Sequence, residues 1–270
     1  MAEAQAATKA HSCKLMICFG GNGRSQGFSP MVRNPKARKG FVRELSKFIS
    51  KHNLDGVDYN WEYPGYDFRR GYLPEAEIQA DYQGLADLVR DTRDALPEAT
   101  ITMAYYPDTR QEALLKQYGL VDTIDLFHSM AYDQGGKHST RDFSQKVMSQ
   151  VHGVLPAHKV TLGVPFYARS MRTGEWKSYE DLVQQEALKP DQDEAGEWYF
   201  NGPGTIAWKT EQAVARGLAG VMIWEVGQDC RMVEVRHGAD THVVTCPGGP
   251  LDSLLTAIQT GLGNAARTEL

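Results

Sequence analysis

A chain of 270 residues with 41% hydrophobic content is long enough for one large α/β domain or two small ones around a sizeable core, which excludes intrinsic disorder. Its 29 Lys and Arg stand against 34 Asp and Glu, so it lacks the positive excess of a dedicated phosphate-backbone binder, and nucleic acid is not expected as a partner. No stretch approaches the roughly 18 uninterrupted apolar residues of a membrane-crossing helix, so no membrane partner is expected either.

The first residues, Met1 to His11, are polar and Ala-rich and have no basic leader or apolar centre of a secretion signal. The expectation is a chain that stays inside the cell or whose true beginning lies upstream, with residues 1–13 a disordered or helical leader. Cys13, Cys18, Cys230 and Cys246 form no CxxC pair, and so few in a chain this long are expected to be mostly free thiols.

Lys14–Phe19 is an apolar run ending in Gly20-Gly21, the pattern of a buried strand and a tight turn. A helix follows, capped by Asn34 with Pro35 at its first position and Phe41, Leu45, Phe48 and Ile49 at helical spacing. Leu54–Tyr63 is the next strand. From about Glu75 to Leu96 a helical stripe carries Ile78, Tyr82, Leu85 and Val89, and Pro97 ends it. Strands are predicted at Thr100–Tyr106, Ile124–Met130, Val160–Phe166 and Gly220–Trp224, with helical patterns around Gln111–Tyr118, Arg141–Gly153 and Thr210–Arg216. Ser170–Gly204 reads as the longest irregular stretch. Six β-α repeats with almost no hairpin signal predict a parallel sheet with helices outside, either a closed barrel or an open doubly wound sheet. A complete eight-stranded barrel needs about 250 residues in eight units, and the residues before Lys14 are too few for two more.

The chemistry concentrates in Asp55-Gly-Val-Asp58-Tyr-Asn60-Trp-Glu62-Tyr-Pro64. Side chains alternate along a strand, so Asp58, Asn60 and Glu62 share one face and Val57, Tyr59 and Trp61 the other. With the apolar face on helices, the polar face points into a barrel, and Glu62 sits at the strand's C-terminal end, where such barrels place catalytic groups. The alternative is a solvated edge strand, although a strand among βα units is normally buried on both faces.

Asp55-x-x-Asp58-x-Asn60-x-Glu62 resembles the DxxDxDxE signature of glycoside hydrolase family 18, the chitinase family, with one departure at Asn60. Cys18-Phe-Gly20-Gly21 resembles the family's SxGG, Met130-Ala-Tyr132-Asp133 its MxYD, and Gly163-Val-Pro165-Phe-Tyr167-Ala-Arg169 its GxPxYGR. Gly220-Val-Met-Ile-Trp224 resembles the segment ending in its sugar-stacking Trp. The resemblance implies an α/β fold of TIM (β/α)8 type, N-terminally incomplete with about six of eight strands, and a catalytic domain over 14–270. It also implies retaining, substrate-assisted hydrolysis of β-1,4-linked N-acetylglucosamine in chitin or chito-oligosaccharides, with neither metal nor cofactor. Glu62 is then the acid/base, with Asn60 and Asp58 beside it. Tyr132 bonds the acetamide, Trp224 is the floor under the sugar ring, and Met130, Asp133, Tyr167 and Arg169 line the pocket.

Three departures shape the expectation. Asn60 brings no negative charge to stabilise the oxazolinium ion, so rate is expected to fall about 10²–10³-fold, by analogy with removing one preorganised group. An amide beside Glu62 also does not raise its pKa as a carboxylate would, which predicts a poorer general acid near neutral pH. The two strands the family places before Gly20-Gly21 are absent, and so is the secretion signal most members carry. The expectation is a truncated fragment, or open barrel edges that pair with another chain in an oligomer. Asn22 stands where many members have Trp, and Arg169 to Trp224 is too short for an added α+β subdomain, so a shallow groove is expected. A catalytically weak chitinase-like binding protein and an endo-β-N-acetylglucosaminidase are the other functions compatible with this pattern. Gly21-x-Gly23-x-x-x-Gly27 is no dinucleotide fingerprint, and the spacing of His237, Asp240, His242 and Cys246 fits no standard zinc pattern.

Overall fold

Burial of the apolar face of the Asp58 strand organises the first half of the chain. The computed structural model describes residues 1–186, 188, 189, 191–231, 235–237, 240–242 and 244–268, with backbone alone for 235–237, 240–242 and 266–268. It divides into two compact units, Met1–His128 with Gly153–Lys159, and Ser129–His152 with Val160–Leu270.

The first unit opens with helix α1 (Ala2–Ala10), strand β1 (Met16–Gly20) and the short helix α2 (Phe28–Val32). Helix α3 (Pro35–His52) starts where the sequence predicts: the Asn34 side chain accepts hydrogen bonds from the amides of Lys36 and Ala37 at 3.0 and 3.2 Å. Such a cap stabilises a helix by about 1 kcal/mol. Strand β2 (Gly56–Asn60) is shorter than the expected Leu54–Tyr63, so Glu62 lies two residues beyond its end. Val57, Tyr59 and Trp61 are buried. Tyr59 shares a 2.7 Å hydrogen bond with Thr92 of helix α4 (Glu75–Ala95), and Trp61 stacks on Phe28 of α2 at 5.2 Å. The apolar face therefore packs on helices, as the alternation predicts. Ile78, Tyr82, Leu85 and Val89 of α4 are all buried. Strand β3 (Thr100–Tyr105), helices α5 (Arg110–Gln117) and α6 (Leu120–Thr123) and strand β4 (Leu126–Ser129) follow.

The second unit carries helix α7 (Arg141–Val151), strand β5 (Val160–Pro165), helix α8 (Tyr179–Gln185), helix α9 (Pro203–Ala215), strand β6 (Gly220–Trp224) and helix α10 (Leu254–Thr268). The six-stranded sheet runs in chain order, β1-β2-β3-β4-β5-β6, and the β1–β2, β2–β3 and β5–β6 ladders are parallel. This is the order of six consecutive βα units of a (β/α)8 barrel.

Three expectations need correction. Ser170–Gly204 is not irregular: Glu194–Ala195, Trp198–Tyr199, Tyr167–Ser170 and Trp176–Ser178 form, in that order, an antiparallel four-stranded sheet, joined to α8. Two further antiparallel pairs, Tyr66–Asp67 with Gly71–Tyr72 and Val235–His237 with Asp240–His242, form where the sequence carries almost no hairpin signal. Strands of two to four residues are too short to leave a readable alternation in sequence. Finally, Cys230 and Cys246 form a disulfide, buried among Ile206, Leu254 and Ala257. Tertiary packing brings together two cysteines 16 residues apart, which spacing alone does not reveal, and only Cys13 and Cys18 are free.

Candidate active site

Parallel register puts three polar side chains in one row of the first unit. Cys18 pairs with Asp58 across β1–β2, and Asp58 pairs with Thr102 across β2–β3. The Cys18 thiol donates to Asp58 Oδ2 at 3.1 Å and the Thr102 hydroxyl to Oδ1 at 2.6 Å. Burial, and then the Asp58 charge, push the Cys18 thiol above its ordinary range, which keeps it a protonated donor. His128 Nε2 lies 4.0 Å from Asp58 Oδ1. Burial lowers the pKa of this imidazole, against the pull of Asp58.

Next to that row, Gly20 and Gly21 turn the chain at positive φ, +95° and +71°. A β-carbon on Gly20 would lie 2.4 Å from the Asn60 carbonyl oxygen. One on Gly21 would lie 2.4 Å from Asn60 Nδ2 and 3.7 Å from Glu62 Oε1. Only glycine permits this approach, which explains the dipeptide at the end of β1. The corner is closed by the Gly21 amide donating to the Asn60 carbonyl at 2.8 Å, and the Glu62 amide donates to Ser25 Oγ at 3.3 Å. Asn60 is buried, and its side-chain oxygen has no hydrogen-bond partner in the protein. A buried acceptor left unmatched costs about 1–3 kcal/mol, so its retention calls for a reason.

The second unit gathers its expected residues around Asp133, which sits at positive φ just past Tyr132. Tyr167 and Arg169 alternate on one strand and so share a face. The Tyr167 hydroxyl donates to Asp133 Oδ1 at 2.7 Å and Arg169 Nε at 2.8 Å, while Arg169 also donates to the Gly174 carbonyl at 2.7 Å. Burial, then the Asp133 charge, raise the Tyr167 pKa, and the bond to Asp133 raises that of Arg169, so both stay protonated donors. The Tyr132 ring meets Tyr167 edge to face at 6.0 Å, and its hydroxyl lies 3.8 Å from Met222 Sδ. Gly163 makes room: a β-carbon there would lie 3.0 Å from the Tyr132 ring. Met130 is buried, and Trp224 stands 38% exposed at the end of β6.

Each unit thus brings together its own expected residues: Asp58, Asn60 and Glu62 in the first, and Tyr132, Asp133, Tyr167 and Arg169 in the second. The sequence reading missed Thr102, His128, Ser25 and His138. Thr102 had a signal, because Thr100-Ile-Thr-Met alternates polar and apolar residues as β2 does. His138 had none: it is fully buried beside Tyr167, ring centroids 5.1 Å apart. No group of three or more His, Cys, Asp or Glu fit to hold a metal ion occurs among the described residues. The side chains of His237, Asp240 and His242 lie outside those residues, and Cys246 is spent in the disulfide.

The chain is similar to several chitinases. It is 23% identical to probable chitinase 2 of Drosophila melanogaster over 85% of its own length and 59% of that protein. To chitinase 1 of Aphanocladium album it is likewise 23% identical, over 87% of its length and 65% of that protein. The chain thus spans between about half and two thirds of such relatives. Among solved structures, the chitinase ChiB of Flavobacterium johnsoniae superposes with a TM-score of 0.74 at 24% identity, covering 97% of this chain and 80% of that one. A chitinase from Bacteroides thetaiotaomicron gives 0.73 at 22% identity, over 96% and 79%. These likenesses establish the fold as an incomplete TIM-type barrel. The sequence model of the glycosyl hydrolases family 18 matches residues 1–229, and the chain belongs to that family.

Proposed function

We propose that this chain is a retaining glycosidase acting on β-1,4-linked N-acetylglucosamine, as in chitin or chito-oligosaccharides, with Glu62 as acid/base. The Glu62 carboxyl gives its proton to the glycosidic oxygen as the substrate's own acetamido oxygen bonds to the anomeric carbon. Water then opens the oxazolinium ion and loses a proton to the Glu62 carboxylate, which restores the acid and retains the configuration. Tyr132 holds the acetamide and Trp224 the sugar face. Asp133 is held in place in the second unit by Tyr167 and Arg169.

The observation that carries this reading is the buried, unmatched side-chain oxygen of Asn60, two residues before Glu62 in an amide whose nitrogen is wedged against Gly21. It is an acceptor suited to an acetamido N–H. It aligns the attacking group but adds no charge to balance the oxazolinium ion, so slow turnover is expected. The same neutral amide favours a second reading, a carbohydrate-binding protein with weak or no turnover.

Hydrolysis of a chromogenic chito-oligosaccharide by the chain, by Asn60→Asp and by Glu62→Gln tests both. The glycosidase reading expects slow wild-type turnover, an inert Glu62→Gln and an Asn60→Asp faster by about 10²–10³-fold, the scale of one preorganised group. Turnover that survives Glu62→Gln sinks it. An inert wild type that still binds the oligosaccharide favours the second reading.

A further inference from the structure

Directly after Glu62 the chain builds a cluster of aromatic rings that the catalytic reading does not use. Tyr63 lies 5.9 Å from Tyr66, 5.7 Å from Phe68 and 5.9 Å from Tyr106, centroid to centroid. Tyr66 in turn meets Phe68 at 5.8 Å and Tyr72 at 5.3 Å, both edge to face. Three of these five pairs meet edge to face, an arrangement in which aromatic rings attract by about 0.5–1.5 kcal/mol each, and the two others are tilted.

The segment is held at its base and its turn. The Gly65 amide donates to Asp81 Oδ2 at 2.9 Å, and Asp81 Oδ1 takes Ser29 Oγ and Arg33 Nε, each at 2.7 Å. Tyr66–Asp67 pairs with Gly71–Tyr72, and Asp67 Oδ1 caps the turn by accepting from the amides of Arg69 and Arg70 at 2.9 and 3.0 Å. Behind it, the Arg110 guanidinium covers the Tyr72 ring at 4.3 Å, and the Tyr72 hydroxyl donates to Asp108. On this braced support Phe68 is 66% exposed. A large apolar ring in water, fixed by two tyrosines on an anchored hairpin, has the form of a preorganised binding platform.

We propose that Phe68, backed by Tyr66 and Tyr63, stacks a sugar unit of the bound glycan beyond the one acted on by Glu62. The occupant follows from three features. The cluster starts at the residue next to the catalytic acid. The exposed ring is aromatic, and a flat π face complements the C–H face of an equatorially substituted pyranose. From Tyr66 to Tyr72 the hairpin carries no aliphatic side chain, and the exposed groups beside Phe68 are the polar Arg69 and Arg70. The inference rests on the chito-oligosaccharide reading above and adds to it a length preference set by the Phe68 hairpin.

The test measures binding in the Glu62→Gln background, so that ligand is not consumed, by titration calorimetry with chitin disaccharide and hexasaccharide. The expected result is tighter binding of the hexasaccharide. Phe68→Ala weakens hexasaccharide binding about threefold to tenfold, the scale of one ring-stacking contact, and leaves the disaccharide unchanged. Phe68→Trp restores the hexasaccharide affinity, and Tyr66→Ala weakens it in the same direction. If both oligosaccharides bind but Phe68→Ala changes neither, the platform is overturned while the catalytic reading stands. A shift in oligomeric state on Phe68→Ala, with affinities unchanged, identifies the ring as a protein contact and equally overturns it. If neither oligosaccharide binds to Glu62→Gln, the chito-oligosaccharide reading falls and takes the platform with it.

Discussion

Gly21 and Asn60 are in such close approach that a single added methyl group on the glycine would sit 2.4 Å from the asparagine's side-chain nitrogen. The end of β1 therefore works as a mould for the amide two residues before Glu62, and the turn at positive φ is what brings it there.

Gly21→Ala is expected to displace the Asn60 side chain and to strain the backbone. Gly23→Ala is the control, since it also sits at positive φ but a β-carbon there meets nothing within 4 Å. The backbone strain costs about 1–2 kcal/mol at either position. Thermal unfolding should show comparable losses from strain, while hydrolysis of the chromogenic substrate should fall further in Gly21→Ala. Equal activities in the two variants would refute the moulding role.

Asp133 accepts from Tyr167 and Arg169 through one oxygen, so the two donors depend on it together. Tyr167→Phe should cost about 1 kcal/mol of stability, the ordinary net worth of one hydrogen bond. Because Asp133 and Arg169 are both partly exposed, solvent screening holds the cost of Asp133→Asn to a similar size. The double variant should cost less than the sum of the two, read by denaturant unfolding. Strict additivity would show that Asp133 does not couple them.

His138 provides a pH signature. Burial holds its pKa down to about 4, with Lys209 and Arg169 lowering it further and Asp133 opposing. The unfolded chain takes up this proton near pH 6.5, and the folded chain resists it until about pH 4. Stability from this group is therefore intact above pH 6.5 and is lost as pH falls from 6.5 towards 4. The melting temperature should drop across that window, and His138→Phe should flatten the drop. An unchanged slope in the variant would assign the acid sensitivity elsewhere.

The Cys230–Cys246 bond closes a loop of 16 residues and ties Asp229, which accepts from the amides of Leu254 and Leu255 at the start of α10, into the second unit's core. Closing a loop of this length stabilises by about 3 kcal/mol through the unfolded chain. Before reduction a thiol reagent should find at most Cys13 and Cys18, and Cys18 slowly, because it stays protonated beside Asp58. Reductant should expose the other pair and lower the melting temperature. Four reactive thiols without reductant would contradict the bond.

Much of the fold was legible because burial writes periodicity into sequence. Val57, Tyr59 and Trp61 against Asp58, Asn60 and Glu62, or Ile78, Tyr82, Leu85 and Val89 along α4, are local patterns, and each element buries the face they indicate. The two-to-four-residue strands around Tyr167–Ser170 and Tyr66–Tyr72 left no such trace, since their stability comes from partners distant in the chain or from ring contacts across a turn.

By itself the sequence determined which residues are candidates for the chemistry, because side-chain type and alternation are covalent and local. It marked Glu62 at a strand's end, a glycine pair after β1 and an amide at position 60. Tertiary structure alone decided that Cys18 and Thr102 share the Asp58 carboxylate, that Tyr167 and Arg169 converge on Asp133, and that Cys230 meets Cys246. Those pairings depend on strand register and chain closure, which sum weak contacts over the whole domain and appear in no short stretch of residues.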